Sequence, residues 1–280
     1  MRIGFIGAGK VGFTLGKYFK VNGLEVTGYY NHNPKAAREA AEFTDTNFYD
    51  NEENLIRDSE VVFLTVPDGV ISEVWQRIKA YNPHGKIFCH CSGATTSAVF
   101  SDIAEYNCYG YSVHPFFAIS DKMDSYKEIS KARFTVEGDT AHIDEVADIL
   151  KKCGNTVVFI EKDNKIRYHA AAVFASNLML GLMESAMEEL MQCGFDKEDA
   201  VGALLSLSVN NLRHLENGSI EEALTGPVER CDVITVKRHL ENVSDENRAI
   251  YIMLSRKALE IAKRKNPDRD YHKMEDILYG

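Results

Sequence analysis

The sequence lacks an excess of basic residues: its 280 residues include 32 Lys and Arg against 42 Asp and Glu, a formal net charge of −10. A surface of that sign repels phosphate backbones, so we expect no nucleic-acid partner. Long apolar runs are also missing, since the most apolar stretch, 170–183, is too short to span a bilayer. The chain opens with a strand pattern rather than a secretory signal. We therefore expect a soluble, cytoplasmic protein with no membrane partner.

Cysteine is scarce, and its spacing is unsuited to metal. Among the six cysteines, Cys89 and Cys91 form an isolated C-x-C, which matches no zinc pattern. Alternation along a strand places both thiols on the same face. We interpret them as small apolar core residues in a reduced compartment, and we expect no metal site.

The first part of the chain alternates short apolar strands with helical patterns. Such alternation predicts an α/β fold, with a mostly parallel, doubly wound, Rossmann-like sheet. The predicted strands are 2–6, 24–30, 46–49, 60–66, 86–91, 109–114, 133–137 and 156–160, and the predicted helices are 11–20, a segment capped by Asn33 and beginning at Pro34, 71–80 and 142–152.

Near Glu161 the pattern becomes entirely helical. Residues 165–192 predict one long helix, apolar on nearly all sides around 173–183, as expected in a core or between subunits. Further helices are predicted at 196–216, 219–224, 232–240 and 244–265, and we expect a mobile polar tail from Asn266. We thus predict a dinucleotide-binding domain at 1–160 and an all-α substrate and dimerisation domain at 161–280, through which a homodimer forms.

A glycine-rich G-x-G-x-x-G motif links the first strand to the first helix, as Gly7, Ala8, Gly9, Lys10, Val11 and Gly12. A position at the start of a βαβ unit is the context in which this motif binds a dinucleotide. Gly7 allows the tight turn, Gly9 lets pyrophosphate approach the backbone, and Gly12 lets the helix pack close to the strand. The phosphates would meet the N–H groups and the positive dipole end of the helix.

The end of the second strand predicts which dinucleotide is bound. An NAD enzyme usually carries an acidic residue there to hold the ribose hydroxyls, and none is present. Asn31 can donate hydrogen bonds, and His32, Lys35 and Arg38 can supply positive charge to a 2′-phosphate. For Lys35 and Arg38 a solvated helix face is the alternative. We predict NADP(H) rather than NAD(H).

Later strand ends should also line the site, because ligands of such sheets bind at the carboxyl edge. Thr65, Val66 and Pro67 end the fourth strand and are predicted to contact the cofactor. Ser92 ends the next strand, toward the nicotinamide; it either contacts cofactor and substrate or caps its own turn. His114 ends a further strand, and the ordinary pKa of histidine suits proton transfer near neutral pH. Its alternative is a histidine bonded to its own loop.

The predicted long helix carries a polar strip. At about 100° per residue, Lys165, His169 and Ser176 fall within about 40° of one another, and Asn177 borders this face. Buried polar groups without partners cost roughly 1–3 kcal/mol each, so the strip demands partners, either substrate and nicotinamide or the sheet-edge loops. Lys165, His169 and Asn177 are therefore candidate catalytic residues.

An irregular turn between later helices supplies candidate substrate contacts, Thr225 and Arg230. The guanidinium of Arg230 can bind a substrate carboxylate through two hydrogen bonds. A structural ion pair with an acidic neighbour is its alternative.

Several segments resemble a known family. R-I-G-F-I-G-A-G-K-V-G at 2–12 resembles the pyrroline-5-carboxylate reductase and 6-phosphogluconate dehydrogenase-like superfamily. H-C-S-G-A at 90–94, H-P-F at 114–116, Y-H-A-A-A-V-F-A-S-N at 168–177 and A-L-T-G-P-V-E-R at 223–230 resemble a group of provisionally named NADP oxidoreductases. In that group a Rossmann-like domain precedes a C-terminal helical domain of unknown function. The resemblance covers nearly the whole chain, and it implies the fold, NADP(H) and a dimer through the helical domain, but no particular reaction.

Two departures from relatives affect the mechanism. Related β-hydroxyacid dehydrogenases carry Lys and Asn one turn apart on the first helix of the second domain. If Asn177 is that Asn, the Lys position is Val173, and their proton donor is missing. His114 and Pro115 resemble a His-Pro of prephenate dehydrogenases, but the surrounding sequence matches poorly.

These patterns together predict an enzyme. We expect an NADP(H)-dependent oxidoreductase that transfers hydride between the nicotinamide and a small carbonyl, imine or hydroxy-acid substrate, with His169 or His114 supplying the proton. One alternative is a prephenate-dehydrogenase-like enzyme running in the opposite direction. Another is an NADPH-binding regulator without turnover, which the missing lysine favours.

Overall fold

An eight-stranded sheet forms the centre of Met1–Ser176, the first of two units into which the chain divides; the second is Asn177–Gly280. The computed structural model describes all 280 residues. The strands are β1 (Arg2–Ile6), β2 (Glu25–Tyr30), β3 (Asn47–Phe48), β4 (Val61–Leu64), β5 (Ile87–His90), β6 (Tyr109–Phe116), β7 (Arg133–Gly138) and β8 (Thr156–Phe159). The helices of this unit are α1 (Lys10–Val21), α2 (Pro34–Thr44), α3 (Glu52–Asp58), α4 (Ile71–Lys79), α5 (Ile143–Lys152) and α6 (Lys165–Phe174).

The strand order β3-β2-β1-β4-β5-β6-β7-β8 is that of a doubly wound sheet. All neighbours pair in parallel except β6 and β7, which are antiparallel. Since α1 and α2 follow the strands on one side of β1 and α4 follows β4 on the other, both faces are covered by helices. The predicted fold, a mostly parallel Rossmann-like sheet followed by helices, is confirmed.

Alternate residues of the central strands enter two separate cores. On β1 and β4, Phe5 and Phe63 belong to one core, where their rings stack with centroids 5.6 Å apart. Leu64 belongs to the other core, where it packs with Trp75 of α4. Trp75 is fully buried, and its indole N–H donates to the carbonyl of Ser101 at 2.7 Å. Burial of each such side chain contributes roughly 1.5–3 kcal/mol to the stability of the fold. The two cores therefore hold the central strands in place.

Helix α3 was not foreseen from the sequence. Asn51 caps it, because its side-chain oxygen accepts from the backbone N–H groups of Glu53 and Asn54. Seven residues are too few for a helical hydrophobic period to be recognised. The helix places Glu52, a fully buried carboxylate, beneath α4.

The second unit is helical throughout. Its helices are α7 (Asn177–Gln192), α8 (Lys197–Arg213), α9 (Ile220–Ala223), α10 (Val233–Asn242), α11 (Asp245–Lys265) and α12 (His272–Tyr279). The mobile tail predicted from Asn266 is wrong: Tyr271, Met274 and Leu278 are buried in the core of this unit. Met274 and Leu278 lie four residues apart, on one face of α12, and this apolar spacing anchors the chain end.

The single long helix predicted at 165–192 is also wrong, because α6 ends at Phe174 and α7 begins at Asn177. Ser176 lies at the break, where its hydroxyl donates to the carbonyl of Ala172 at 2.7 Å. Such bonding from a serine to its own backbone competes with regular helix. The apolar side chains that follow are not buried in a core, since Leu178 is 52% and Leu180 is 67% exposed.

One segment, Lys162–Gln192, passes a length and composition test for a membrane span, with a mean hydropathy of 1.3. The helical break at Ala175 and Ser176 interrupts it. Length and composition alone do not identify a membrane span, because apolar helices of soluble proteins can have the same length and composition. By packing, the first unit extends to Ser176, whereas the sequence analysis places the domain boundary near residue 160.

Candidate active site

The glycine-rich turn is built as the sequence predicts. Gly7 has a φ of +112°, in the left-handed region, and its N–H donates to the carbonyl of Tyr30 at 2.9 Å. A Cβ on Gly7 would lie 2.6 Å from the carbonyl oxygen of Thr65, so no other residue fits there. Thr65 secures the turn by donating from its hydroxyl to the carbonyl of Gly7 at 2.9 Å. The turn is thereby fastened to the ends of β2 and β4.

The N-terminus of α1 is open to an anion. Gly9 is the N-cap and provides no side chain to the first-turn N–H groups, and that turn carries no acidic residue. A Cβ on Gly9 would meet only the Thr65 carbonyl oxygen, at 4.0 Å, so the space beside it is free. Gly12 lets α1 pack on the turn, since a Cβ there would lie 2.5 Å from the carbonyl oxygen of Gly7. This arrangement fits a pyrophosphate.

A cavity of about 480 Å³ begins at this turn. Of the predicted cofactor residues, the structure brings eight together around it: Gly7, Ala8, Gly9, Asn31, His32, Thr65, Val66 and Pro67. Four residues that the sequence analysis did not assign, all on the same helical face, add a further wall: Val70, Glu73, Val74 and Arg77. Tyr30 and Ile6 complete the lining.

Other predicted cofactor residues lie outside this lining. Lys10, Val11 and Gly12 belong to the first turn of α1 and do not line the cavity. Lys35 is exposed, and its backbone N–H donates to the Asn33 side chain at the start of α2. Arg38 stacks on the ring of Phe48, 4.0 Å from its centroid. The positions of Lys35 and Arg38 therefore favour the solvated helix face.

The Ser92 hydroxyl organises the loop after β5. It donates to Asp68 at 2.5 Å and accepts from the backbone N–H groups of Ala94 and Thr95, at 3.2 and 2.9 Å. One donor and two acceptor positions are thus occupied, as expected for a hydroxyl that caps its own turn. The buried His90, which precedes this loop at the end of β5, accepts from the Ser92 N–H, and burial lowers its pKa to about 4.

His114 lies near the carboxyl end of β6 and is half-buried. Its Nδ1 lies 2.7 Å from the hydroxyl oxygen of Tyr168, and its Nε2 has no hydrogen-bond partner in the chain. Burial, followed by the positive charge of Lys165, lowers the pKa of His114 to about 3. The imidazole is therefore neutral at physiological pH, and the expectation that its pKa suits proton transfer near neutrality is wrong.

Lys165, at the start of α6, is fully buried. Its ammonium donates to the hydroxyl of Ser112, which donates to the carbonyl of Ser92 at 3.1 Å. It forms no ion pair with a carboxylate, and burial lowers its pKa to about 8, against the opposing effect of Glu137. Sequence reasoning missed Ser112, because nothing in the pattern of a buried strand distinguishes it.

His169 lies one turn after Lys165, and its Nδ1 is buried without a hydrogen-bond partner. A Cβ on Gly93 would lie 2.7 Å from this atom and 2.9 Å from Nε2 of His114. Gly93 therefore allows both imidazoles to approach the loop after β5. We call His114, Lys165, Tyr168 and His169 the His114 cluster.

The remaining predicted residues lie outside β6 and α6, the elements that carry this cluster. Ser176 lies past the end of α6, and Asn177 begins the second unit. Lys165 precedes His169 by one turn on α6, and Val173 occupies the position one turn before Asn177. In the second unit, Thr225 lines an apolar cavity of about 430 Å³, while Arg230 is exposed and makes no ion pair. The structural ion pair expected for Arg230 is therefore absent.

The cysteines are all free thiols, as a core role requires. Cys89 is fully buried in β5, and burial raises its pKa well above the ordinary value. Burial also raises the pKa of Cys91, to about 12. Both thiols stay protonated, which confirms Cys89 as a core residue and leaves neither reactive.

The amino-acid patterns of both parts match known domain families. Residues 1–115 match a Rossmann-like domain, and residues 132–258 match a domain of unknown function, DUF2520. The chain is a Rossmann-like domain followed by a DUF2520 domain. No curated protein sequence matches it.

Solved structures share this fold over nearly the full length. Protein TM1727 from Thermotoga maritima is 24% identical, with a TM-score of 0.76 over 94% of this chain and 99% of that one. BF3122 from Bacteroides fragilis, provisionally named an NADP oxidoreductase, is 20% identical, with a TM-score of 0.72 over 92% and 98%. A 1-pyrroline-5-carboxylate reductase from Streptococcus pyogenes is 16% identical, with a TM-score of 0.65 over 94% and 98%. At these identities the likeness establishes the fold.

Proposed function

We propose that this Rossmann–DUF2520 chain is an NADP(H)-dependent oxidoreductase that reduces a small carbonyl or imine, with His114 as the residue that contacts the reacting group. The observation that carries the proposal is a continuous series of contacts from the dinucleotide cavity to the His114 cluster. Pro67 lines the cavity, its neighbour Asp68 bonds Ser92, and Gly93 of the Ser92 loop lies against His114. Names of structural neighbours, an NADP oxidoreductase and a pyrroline-5-carboxylate reductase, agree with this class of reaction.

Bound NADPH would supply the hydride, held by the glycine turn and by Asn31 and His32 at the end of β2. The absence of any carboxylate from the end of β2 leaves room for a 2′-phosphate, to which the side chains of Asn31 and His32 in the lining can donate hydrogen bonds. NADP(H) therefore remains our choice over NAD(H).

His114 is suited to donate a hydrogen bond. With the Tyr168 hydroxyl donating to Nδ1, the proton of the neutral ring is on Nε2, the nitrogen with no partner in the chain. A neutral imidazole can polarise a carbonyl oxygen or imine nitrogen through this N–H. When negative charge develops on the acceptor, the proton on Nε2 transfers to it and the tyrosine hydroxyl proton transfers to Nδ1. This leaves a Tyr168 phenolate, with the Lys165 ammonium 5.7 Å from the centre of its ring.

Lys165 supplies the positive charge in this account. A buried ammonium without a carboxylate partner stabilises negative charge that develops nearby more strongly than it would in water. Its charge adds to burial, the main cause, in keeping His114 neutral. The Lys165 ammonium favours an enzyme, whereas the lysine missing at Val173 still favours the alternative, a regulator without turnover.

The proposal is tested with a panel of small ketones, 2-oxo acids and cyclic imines, by following NADPH oxidation. His114→Gln should lower kcat by roughly 100-fold or more with any substrate found, since a positioned proton donor contributes that much, while NADPH affinity stays unchanged. His272→Gln, at an exposed position in α12, serves as the control. Tight NADPH binding without turnover across the panel would contradict an enzymatic role and favour a regulator.

We also propose a homodimer formed through the helical domain. Exposed apolar side chains on α7 and α8, among them Leu180 and Leu207, would be covered by a second copy. Light scattering after size-exclusion chromatography should give twice the chain mass of 31.5 kDa; a stable folded monomer would contradict it.

A further inference from the structure

One face of α4 forms a wall of the dinucleotide cavity. Val70, Glu73, Val74 and Arg77 recur at the i, i+3, i+4, i+7 spacing of a single helical face, and all four line the cavity. Val70 and Val74 make part of this wall apolar. The guanidinium group of Arg77 lies at the end of this wall. The Rossmann sequence motifs assign no cofactor-binding residue in this region.

The Arg77 guanidinium is held in a fixed orientation by α3. Its Nε and Nη2 donate to the two carboxylate oxygens of Glu52, at 2.7 and 2.8 Å. Glu52 is buried, with 1% of its side chain exposed, whereas the Arg77 side chain is 41% exposed. Two parallel hydrogen bonds between a fork and a carboxylate fix the guanidinium plane. Nη1 and the flat face of the group are left without a partner in the chain.

A planar, fixed, weakly hydrated cation stacks well on an aromatic base. Arg77 is less suited to a phosphate, because the Glu52 carboxylate already compensates its charge. The cavity runs from the pyrophosphate turn past the end of β2, where the ribose belongs, to this wall of α4. The remaining part of the dinucleotide is the adenine.

We propose that Arg77, fixed by Glu52, is the platform on which the adenine of the cofactor stacks. This inference rests on the proposed dinucleotide function and adds a binding residue to it. NADPH and NADH contain the same adenine. Arg77 therefore contributes equally to the affinity for each, and it does not help the protein to select one over the other.

The test is calorimetric binding of NADPH, NADH and reduced nicotinamide mononucleotide, which lacks the adenosine half. Arg77→Lys keeps a cation beside buried Glu52, and so preserves the fold, but removes the flat face. This variant should lower the affinities for NADPH and NADH by the same factor, on the order of tenfold. The affinity for the mononucleotide should stay unchanged. Arg57→Lys, at an exposed arginine outside the cavity, is the control and should change nothing.

A second variant distinguishes stacking from phosphate binding. Glu52→Gln removes the negative charge that compensates Arg77, and the guanidinium plane is then less firmly fixed. The affinities for both dinucleotides should therefore fall. Two other results would show that Arg77 binds the 2′-phosphate and would overturn the stacking proposal. One is a lower affinity for NADPH alone in Arg77→Lys, and the other is a higher affinity for NADPH alone in Glu52→Gln. Unchanged affinities in Arg77→Lys also overturn it. Wild-type protein that binds neither dinucleotide contradicts the proposed function itself.

Discussion

Nδ1 of His114 and the hydroxyl oxygen of Tyr168 lie 2.7 Å apart, with their rings nearly perpendicular at 86°. One residue comes from β6 and the other from α6, so the contact joins the sheet to the last helix of the first unit. It fixes the imidazole, and when the hydroxyl donates to Nδ1 the ring proton is on Nε2. The proposed chemistry at His114 depends on this contact.

Removal of the tyrosine hydroxyl should therefore lower activity. In Tyr168→Phe the ring remains, but the tautomer of His114 is no longer fixed, so kcat should fall roughly 10- to 100-fold. NADPH affinity, measured by calorimetry, should not change. Tyr126→Phe is the matched control, because that hydroxyl has no hydrogen-bond partner. Equal activity in the two variants would show that Tyr168 has no role in the chemistry.

The pH dependence of kcat should report Lys165. Its pKa is lowered to about 8, so the ammonium is charged below that pH and is lost as pH rises through it. The kcat of substrate reduction should therefore be constant near neutral pH and fall above about pH 8. His114 should contribute no inflection near the ordinary histidine pKa, because its own pKa is lowered to about 3. In Lys165→Met the alkaline fall should disappear along with most of the activity; a retained fall would assign it to another group.

Gly93 should be intolerant of a methyl group. In Gly93→Ala the Cβ would lie within 3 Å of ring nitrogens of both His114 and His169, and one imidazole must move. We expect kcat to drop at least tenfold, with NADPH affinity preserved, because the cavity lining does not include this residue. Gly69→Ala is the control, since a Cβ there meets nothing within 4 Å. Wild-type kcat in Gly93→Ala would mean that the imidazole positions are unimportant.

Ser92 should matter for stability. Its hydroxyl accepts from two backbone N–H groups and donates to Asp68, so Ser92→Ala should lower the free energy of unfolding by about 1 kcal/mol or more. Urea denaturation measures this change. Undiminished stability, together with a raised KM, would instead assign the hydroxyl to substrate.

The sequence was most informative where a short segment determines its own structure. Gly7, Gly9 and Gly12 have separate backbone requirements, and the structure meets each one. Asn33 caps the helix that follows it, as predicted.

Sequence reasoning failed where burial or distant contacts decide the outcome. Only the fold reveals that His114 is too buried to be protonated, or that Glu52 lies beneath Arg77. Helical periodicity placed Lys165 and His169 on one face, but it could not show that the helix breaks at Ser176. The apolar spacing in α12 was hidden within an otherwise polar tail.

The most direct test of the central claim is cofactor binding followed through Trp75, the only tryptophan. It lies on α4 between Val74 and Arg77, which line the cavity, and its emission overlaps the absorption of reduced nicotinamide. Separate titrations with NADPH and NADH, repeated by calorimetry, should show quenching by both and tighter binding of NADPH. Tighter NADH binding would contradict the cofactor assignment, and binding of neither would contradict the oxidoreductase function.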